Sequence, residues 1–287
     1  MDLAHLWFGH KFPSLHQQVE AAQEQGFQGL GLLPGGAVVD IAAQEVAGAR
    51  QRLQLAALHL DALGGQNQEQ GPAWRQASIS GVLRALKVLG CRQLIIPCGP
   101  DQRPEVRERA AKLEARVHAG ERVVDTEEAL EELLVLLGQS RESQLEQLAA
   151  FLYDLRRAAP GLNIALQPEP SAAGILDPHN FRLLLAEISE LGIGYWHDTG
   201  VLEFRLMGGL EEPGAWLDGF SNILQGSTLH DFVGGAGLQP PGLGQVEWEL
   251  LREYLPRSAK RILALAPSYP DEVLAEARTA LQTRLFA

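Results

Sequence analysis

The chain has 287 residues, of which 46% are hydrophobic, and a formal net charge of −12. This length and apolar content suffice for one large core or for two small domains. A strongly negative surface repels phosphate backbones, so the charge counts against a nucleic-acid partner. No apolar run approaches the ~20 residues of a membrane-spanning helix, and the start Met-Asp-Leu-Ala-His has neither the basic nor the apolar segment of a signal peptide. We therefore expect no membrane partner.

The two cysteines, Cys91 and Cys98, lie on the same predicted strand. Because a strand rises ~3.3 Å per residue, they are too far apart to form a disulfide with each other. Free cysteines favour a reducing compartment, and we expect a cytoplasmic protein.

Eight short apolar runs, nearly all followed by a helical pattern, predict an α/β fold with a parallel sheet. Eight such units in a chain of this length indicate a closed (β/α)8 TIM barrel. An open doubly wound sheet is the alternative, although no Gly-x-Gly-x-x-Gly motif follows the first strand. The predicted strands are Ala4–Phe8, Gln28–Leu33, Leu53–Leu60, Gln93–Pro97, Asn163–Gln167, Gly194–His197, Gln225–His230 and Arg261–Ala266. The predicted helices between them are Leu15–Gln25, Ala42–Arg52, Ala73–Leu89, Gln144–Ala158, His179–Leu191, Val246–Tyr254 and Asp271–Thr283.

The connection after the fourth strand is longer than the others and contains two further helical patterns, Pro104–His118 and Glu127–Leu137. Ser143 and Glu146 have the spacing of a capping box, which predicts that the next helix begins there. We therefore expect one TIM-barrel domain over residues 1–287 with a helical insertion at 101–140. A segment after strand four emerges on the face where barrel active sites are built. It is either a lid or interface, or a solvated decoration.

Side chains alternate between the lumen and the helix layer along a barrel strand, and only lumen-facing residues at the strand ends can meet. His197 has the opposite parity to Asp198, so we expect it behind the barrel wall. Strand eight offers only Ala264 and Ala266 on one face and leucines on the other. The polar residues expected to face the lumen at the ends of strands five, six and seven are Gln167, Glu169, Asp198, Thr228 and His230.

Two residues near the start of the chain are further candidates for the barrel mouth. His59 shares its parity with Asp61 at the end of strand three, and it is either a substrate contact or a hydrogen-bonded rim residue. Trp7 on strand one could stack on a sugar ring, but a tryptophan at such a position is more often part of the core.

The stretch Ser227-Thr-Leu-His-Asp-Phe-Val-Gly-Gly-Ala-Gly-Leu-Gln-Pro-Pro-Gly-Leu-Gly-Gln-Val-Glu-Trp248 joins a strand end, a Gly/Pro loop and a helix start. This layout resembles the seventh unit of the xylose isomerase-like TIM barrels. These include sugar and sugar-phosphate isomerases and epimerases and the AP endonuclease family 2. The Pro-Gly-x-Gly-x-Val-x-Trp continuation of the family is present as Pro241–Trp248.

The resemblance implies a divalent metal, held by Glu, Asp, His and Glu at the ends of strands five to eight. It also implies that the two glutamates move a proton next to a substrate carbonyl. On this chain the strand-five Glu is Gln167, the Asp is kept as Asp198, and the strand-seven His is Thr228. The strand-eight Glu is Ala264 or Ala266. Gln is not a general base, and one Asp does not hold a hard cation, so the metal site is degenerate.

A displaced site is one way in which metal chemistry could persist. Glu169 and His230 lie two residues beyond the lost ligands on the same faces, and with Asp198 they would form a three-ligand site for Mn, Zn or Mg. The alternative is that Glu169 pairs with an arginine and His230 is a hydrogen-bonded rim residue.

Two functions remain open at this point. The resemblance implies a sugar or sugar-phosphate isomerase/epimerase that acts on a small polyhydroxylated substrate by proton transfer. Glu169 would then be the base, His59 would polarise the carbonyl, and Asp198 and His230 would anchor metal or substrate. The further substrate-binding residues would be Gln167, Trp7 and Thr228. The alternative is a metal-free, catalytically inactive barrel that serves as a small-molecule binding or assembly protein, either as a monomer or as a homodimer.

Overall fold

The computed structural model describes residues 1–8, 11–12, 14–32, 54–59, 79–84, 86–87, 90–124 and 127–286. Eight parallel strands form a closed barrel in which each strand pairs with its neighbours in chain order and the last strand pairs with the first. The barrel strands are β1 (Asp2–Ala4), β2 (Gly29–Leu32), β3 (Gln54–His59), β4 (Gln93–Pro97), β5 (Asn163–Gln167), β6 (Gly194–Asp198), β7 (Leu224–Leu229) and β10 (Lys260–Leu263). The predicted α/β class is confirmed.

The helices of the described residues lie outside the barrel strands. They are α1 (Leu15–Glu24), α2 (Pro104–His118), α3 (Glu128–Ala158), α4 (Pro178–Glu187), α5 (Thr199–Met207), α6 (Pro213–Phe220), α7 (Trp248–Tyr254) and α8 (Asp271–Phe286). Residues 79–84 are also helical, whereas the predicted helix Ala42–Arg52 lies outside the described residues. Within the part of the chain that the structure describes, no helix combines the length and apolarity needed to cross a membrane.

The predicted helix start at Ser143 is wrong, because α3 runs unbroken through this position. Ser143 accepts a hydrogen bond from the side chain of Gln147 at 3.3 Å instead of capping a helix. Buried Leu137 and Leu145 lie on either side of this point and continue the apolar face. Gly138 alone costs only about 1 kcal/mol in a helix, which is too little to interrupt one that packs along its length.

Three other local predictions also differ from the structure. The first strand ends at Ala4, and residues His5–Phe8 form a 3-10 helix that carries Trp7. Two antiparallel strands, β8 (Asp231–Val233) and β9 (Ala236–Gln239), occupy the segment predicted as a Gly/Pro loop. Helices α5 and α6 were not among the predicted elements. They follow β6 and complete its strand-to-helix unit.

The barrel lumen is filled by side chains, as in a packed TIM barrel. Trp196 of β6 is its largest member and is fully buried. Gly226 on β7 leaves room for this indole, since a Cβ at that position would overlap the Trp196 ring. The buried lumen residues are Ala4, Ile95, Ala165, Trp196, Ile262 and Ala264. The prediction that Trp196 packs inside the barrel below Asp198 is confirmed.

A second apolar cluster joins α2 and the first half of α3 to the barrel. Leu113 of α2 and Leu133 of α3 pack in it with Ala172, Phe204 and Phe232. Those three residues lie after β5, on α5 and on β8, respectively. The segment after β4 is therefore packed against the elements that follow the carboxyl ends of β5, β6 and β7.

Candidate active site

Asp198 is at the centre of the polar residues at the barrel mouth. It ends β6 and caps α5, because its Oδ1 accepts a hydrogen bond from the Val201 N–H at 3.1 Å. The same oxygen accepts from Nε2 of His230 at 3.0 Å, and Oδ2 accepts from Nε2 of Gln167 at 3.4 Å. Asp198 is 5% exposed, so this carboxylate is stabilised mainly by protein donors.

The ring of His230 is fixed at both nitrogens. Nδ1 lies 2.9 Å from the Leu238 amide nitrogen and 3.2 Å from the Asp231 carbonyl oxygen, while Nε2 faces Asp198. Burial opposes protonation of the ring, but the charge and the hydrogen bond of Asp198 outweigh it and raise the pKa of His230 above its usual value. Gly200 faces the ring, and a Cβ there would overlap the imidazole.

The backbone around His230 is also held in place. The Thr199 hydroxyl donates to the His230 carbonyl at 2.5 Å and accepts from the His230 N–H at 2.9 Å. Leu238, which supplies the amide to Nδ1, has a φ of 57°, a value that is unusual for a bulky residue. Such a conformation costs of order 1–3 kcal/mol, so the surrounding hydrogen bonds must hold it.

The residues at the remaining family ligand positions have structural partners. Thr228 is fully buried, and its Oγ1 accepts a hydrogen bond from Nε1 of Trp196 at 2.9 Å. Ala264 belongs to the apolar lumen cluster. Gln167 is 4% exposed and donates to Asp198, while its Oε1 has no hydrogen-bond partner in the described part of the chain.

Glu169 is half-buried at the end of the β5 unit. Its backbone carbonyl accepts from Nη1 of Arg205 at 3.0 Å, but the ion pair of Arg205, at 2.5 Å, is with Glu211. Burial and, secondarily, the charge of Glu169 raise the pKa of the Cys98 thiol well above its usual value. Cys98 therefore remains a thiol rather than a reactive thiolate.

The described donors do not fit the divalent metal that the resemblance implies. A histidine ligand must present a free lone pair, but Nδ1 of His230 is engaged by Leu238 and Asp231 and Nε2 by Asp198. Among the described residues, no group of three or more His, Cys, Asp or Glu side chains is arranged to hold a metal ion. Glu169, Asp198 and His230 are thus not assembled as a ligand set.

Of the two candidates near the start of the chain, the structure describes the side chain of Trp7 but not that of His59. Trp7 is 1% exposed within the main core, its Nε1 donates to the Tyr269 carbonyl at 3.2 Å, and Nζ of Lys11 lies 4.0 Å from the centre of its ring. This position agrees with the core alternative for Trp7. His59 ends β3, but its side chain and Asp61 lie outside the described residues.

Asp231 anchors the Gly/Pro loop that follows β7. It is fully buried and accepts hydrogen bonds from the Gly242 N–H at 2.6 Å, the Val246 N–H at 3.2 Å and Nε1 of Trp248 at 3.3 Å. The segment Pro241–Trp248 is therefore a loop held in place by hydrogen bonds to Asp231. This role is independent of the metal.

No protein-family model matches the sequence, and no curated protein matches it. Solved structures do match in fold. One is a probable 3-DHS dehydratase, AsbF, from Bacillus anthracis, with a TM-score of 0.68, 11% identity and 98% of each chain covered. Another is the IOLI protein with a zinc atom, with a TM-score of 0.66, 13% identity and coverage of 99% of this chain and 97% of that one. A third is D-psicose 3-epimerase from Clostridium cellulolyticum H10, solved with D-tagatose, with a TM-score of 0.63, 11% identity and coverage of 100% and 99%. At these identities the likeness establishes the fold alone.

Proposed function

We propose that this xylose isomerase-like TIM barrel binds a small polyhydroxylated, sugar-like ligand at its mouth without a divalent metal. The observation that carries the proposal is that the side chains at the family's metal-ligand positions are already hydrogen-bonded within the protein. Asp198 accepts hydrogen bonds from His230, Gln167 and the Val201 amide, and Thr228 accepts one from the Trp196 indole. A cation entering here would have to displace bonds whose loss leaves buried polar groups without partners, at about 1–3 kcal/mol each.

Gln167 is the residue best placed to recognise a hydroxyl. Its Oε1 is a buried acceptor without a partner in the described part of the chain, and such an atom is costly until a donor reaches it. Sugars offer many hydroxyl donors, and the D-psicose 3-epimerase neighbour was solved with a ketohexose. We infer that a ligand hydroxyl donates to Gln167, with Glu169 at the edge of the same mouth.

A second candidate is a sugar isomerase or epimerase that works by proton transfer without metal. It is favoured by the position of Glu169, whose charge reaches Cys98 at the end of β4 and Arg205 on α5. Glu169 would remove a proton from the carbon next to a carbonyl, forming an enediolate, and the resulting carboxylic acid would return that proton to the neighbouring carbon while the hydroxyl proton moves between the two oxygens. His59 remains the proposed carbonyl-polarising residue.

We also infer that residues 1–287 form one (β/α)8 domain with a helical insertion at 101–140. Supporting this, α2 and the first half of α3 share a core with residues that follow β5, β6 and β7. Cys91 and Cys98 are buried and form no disulfide among the described residues, which supports a cytoplasmic protein.

One NMR experiment in D₂O separates the two functions. D-psicose, D-tagatose and their isomers are screened for saturation transfer, which reports binding, and for loss of the proton next to the carbonyl, which reports exchange. We expect binding without exchange, and weaker binding in Gln167→Leu. Exchange that is lost in Glu169→Gln but kept in the exposed control Glu108→Gln would establish the isomerase instead. No saturation transfer with any of these sugars would contradict the sugar-binding proposal.

A further inference from the structure

A cavity lies on the outer side of the barrel wall, where it is lined by His197 and Thr199, the two neighbours of Asp198 in the chain. It has a volume of about 350 Å³, within the size range of small-molecule sites. We call it the outer cleft. The residues that the argument uses are His197 on β6, Glu203 and Leu206 on α5, Leu217 on α6, Glu212 and Glu247 just before α6 and α7, and Arg122 between α2 and α3.

The most unusual group in the outer cleft is the carboxyl of Glu203. It is only 6% exposed, lines the cavity and makes no hydrogen bond or ion pair with a described residue. Burial, followed by the charges of Asp231, Glu247 and Glu212, raises the pKa of Glu203 to about 7, although Arg122 opposes the shift. A largely buried carboxyl that lines a cavity and has no described partner is a candidate for contact with a ligand.

The second buried polar group of the outer cleft is His197. Its Nδ1 is hydrogen-bonded to the Tyr195 hydroxyl at 2.9 Å, and its Nε2 has no hydrogen-bond partner among the described residues. Burial lowers the pKa of His197 to about 4 against the opposing charge of Asp198. The ring is therefore neutral at physiological pH and does not repel a cation.

The charges at the rim and the apolar walls define the occupant. Glu212 and Glu247 at the exposed rim outnumber the single Arg122, so the cleft favours a positive ligand. The walls between them are apolar, with Leu206, Leu217 and several neighbours. A ligand that suits both features has a charged ammonium end and a hydrocarbon body.

We propose that the outer cleft binds a small alkylamine, with the ammonium group paired to Glu203 and the alkyl body against Leu206 and Leu217. The ammonium supplies the hydrogen-bond donors that Glu203 lacks, and the pair is shielded from water. This site is independent of the sugar-like ligand proposed at the barrel mouth.

The test is an NMR titration of the full chain with n-butylamine, and with 1-butanol as the neutral probe of similar shape. At pH 8 we expect saturable binding of the amine and much weaker binding of the alcohol. Lowering the pH to 6 should weaken amine binding about tenfold, because the ionised fraction of a carboxyl with a pKa of about 7 falls about tenfold while the amine stays charged. The groups that face Glu203 and titrate or carry charge are Asp231, Glu247, Glu212, Arg122 and His197.

Two variants assign the binding to the outer cleft. Glu203→Gln keeps the shape and should weaken amine binding at pH 8 at least about tenfold, with the pH dependence lost. Gly214→Met should block the cleft without touching a charge, since a side chain there points toward Leu250. Glu249→Gln, an exposed position on α7 that does not line the cleft, is the matched control and should bind as the wild type does.

Three results would overturn the proposal. They are equal binding of butanol and butylamine, unchanged amine binding in Glu203→Gln, and no saturable amine binding at pH 8. If only a lysine-containing peptide bound, and free butylamine did not, the occupant would be a protein side chain. The small-molecule proposal would then be wrong.

Discussion

The hydrogen bond between Thr228 and Trp196 gives Thr228 a structural role in the barrel lumen. Thr228→Val keeps the shape of the side chain but removes the acceptor that lies 2.9 Å from the indole Nε1. Both residues are fully buried, so the indole N–H would have no water to bind. Leaving such a donor unpaired costs about 1–3 kcal/mol, and we expect Thr228→Val to lower the free energy of unfolding by that amount.

A double-mutant cycle separates this bond from the packing of the indole. Trp196→Phe removes the donor and some lumen packing, and after it Thr228→Val should cost about 1 kcal/mol less than in the wild type. Urea unfolding followed by far-UV circular dichroism measures each step. The control is Thr279→Val, at an exposed position of α8 where the hydroxyl donates to the Ala275 carbonyl. It should change the free energy of unfolding by no more than about 0.5 kcal/mol. Additive effects of the two lumen substitutions on the free energy of unfolding would show that this hydrogen bond does not stabilise the fold.

Three further outcomes are expected. Because the pKa of Glu203 is raised to about 7 in the folded state, protonated Glu203 stabilises the fold fully below about pH 4.5, and this stabilisation is lost as the pH rises through about 7. We expect the wild type to lose about 1–3 kcal/mol of its free energy of unfolding between pH 5 and 8, after screening by water. Urea unfolding of Glu203→Gln should not show this loss. Gly200→Ala should destabilise by about 1–3 kcal/mol because its Cβ overlaps His230, whereas Gly138→Ala in α3, with open space around it, should stabilise by about 0.5–1 kcal/mol. Asp231→Asn should cost about 1–3 kcal/mol and speed proteolysis of the 241–248 loop, since an amide cannot accept from every N–H that faces the carboxylate.

Each of these outcomes has a result that would contradict it. A wild-type pH profile that Glu203→Gln leaves unchanged would show that Glu203 titrates as an ordinary carboxyl. If Gly200→Ala were tolerated as well as Gly138→Ala, the His230 ring would not lie over Gly200. Unchanged proteolysis of the 241–248 loop in Asp231→Asn would mean that the loop is held by other contacts.

The parts of the fold that could be predicted from the sequence follow from local geometry. The strands Gln93–Pro97 and Asn163–Gln167 have the predicted bounds, because buried parallel strands are unbroken apolar runs. Strand alternation likewise places Trp196 in the lumen and His197 behind the wall, since successive side chains point to opposite faces.

The missed features depend on contacts between distant segments. The ring of His230 is contacted by the amide of Leu238, which lies in a hairpin that the sequence presents only as a Gly-rich loop. Glu203 lies in the apolar segment Val201-Leu-Glu-Phe-Arg-Leu206, and its isolation arises only when α5, α6 and α7 pack together. Asp198 capping α5 was the one local signal available, because an aspartate three residues before a backbone donor is a common helix start.

The polar side chains at the barrel mouth are already hydrogen-bonded to one another. Elemental analysis of the purified chain after soaking in manganese, zinc or magnesium measures whether they also hold a metal ion, with Asp198→Ala and His230→Ala measured in parallel. We expect no stoichiometric metal in the wild type and no difference between it and the two variants. One metal ion per chain that is lost in both variants would instead establish a metal site at Asp198 and His230.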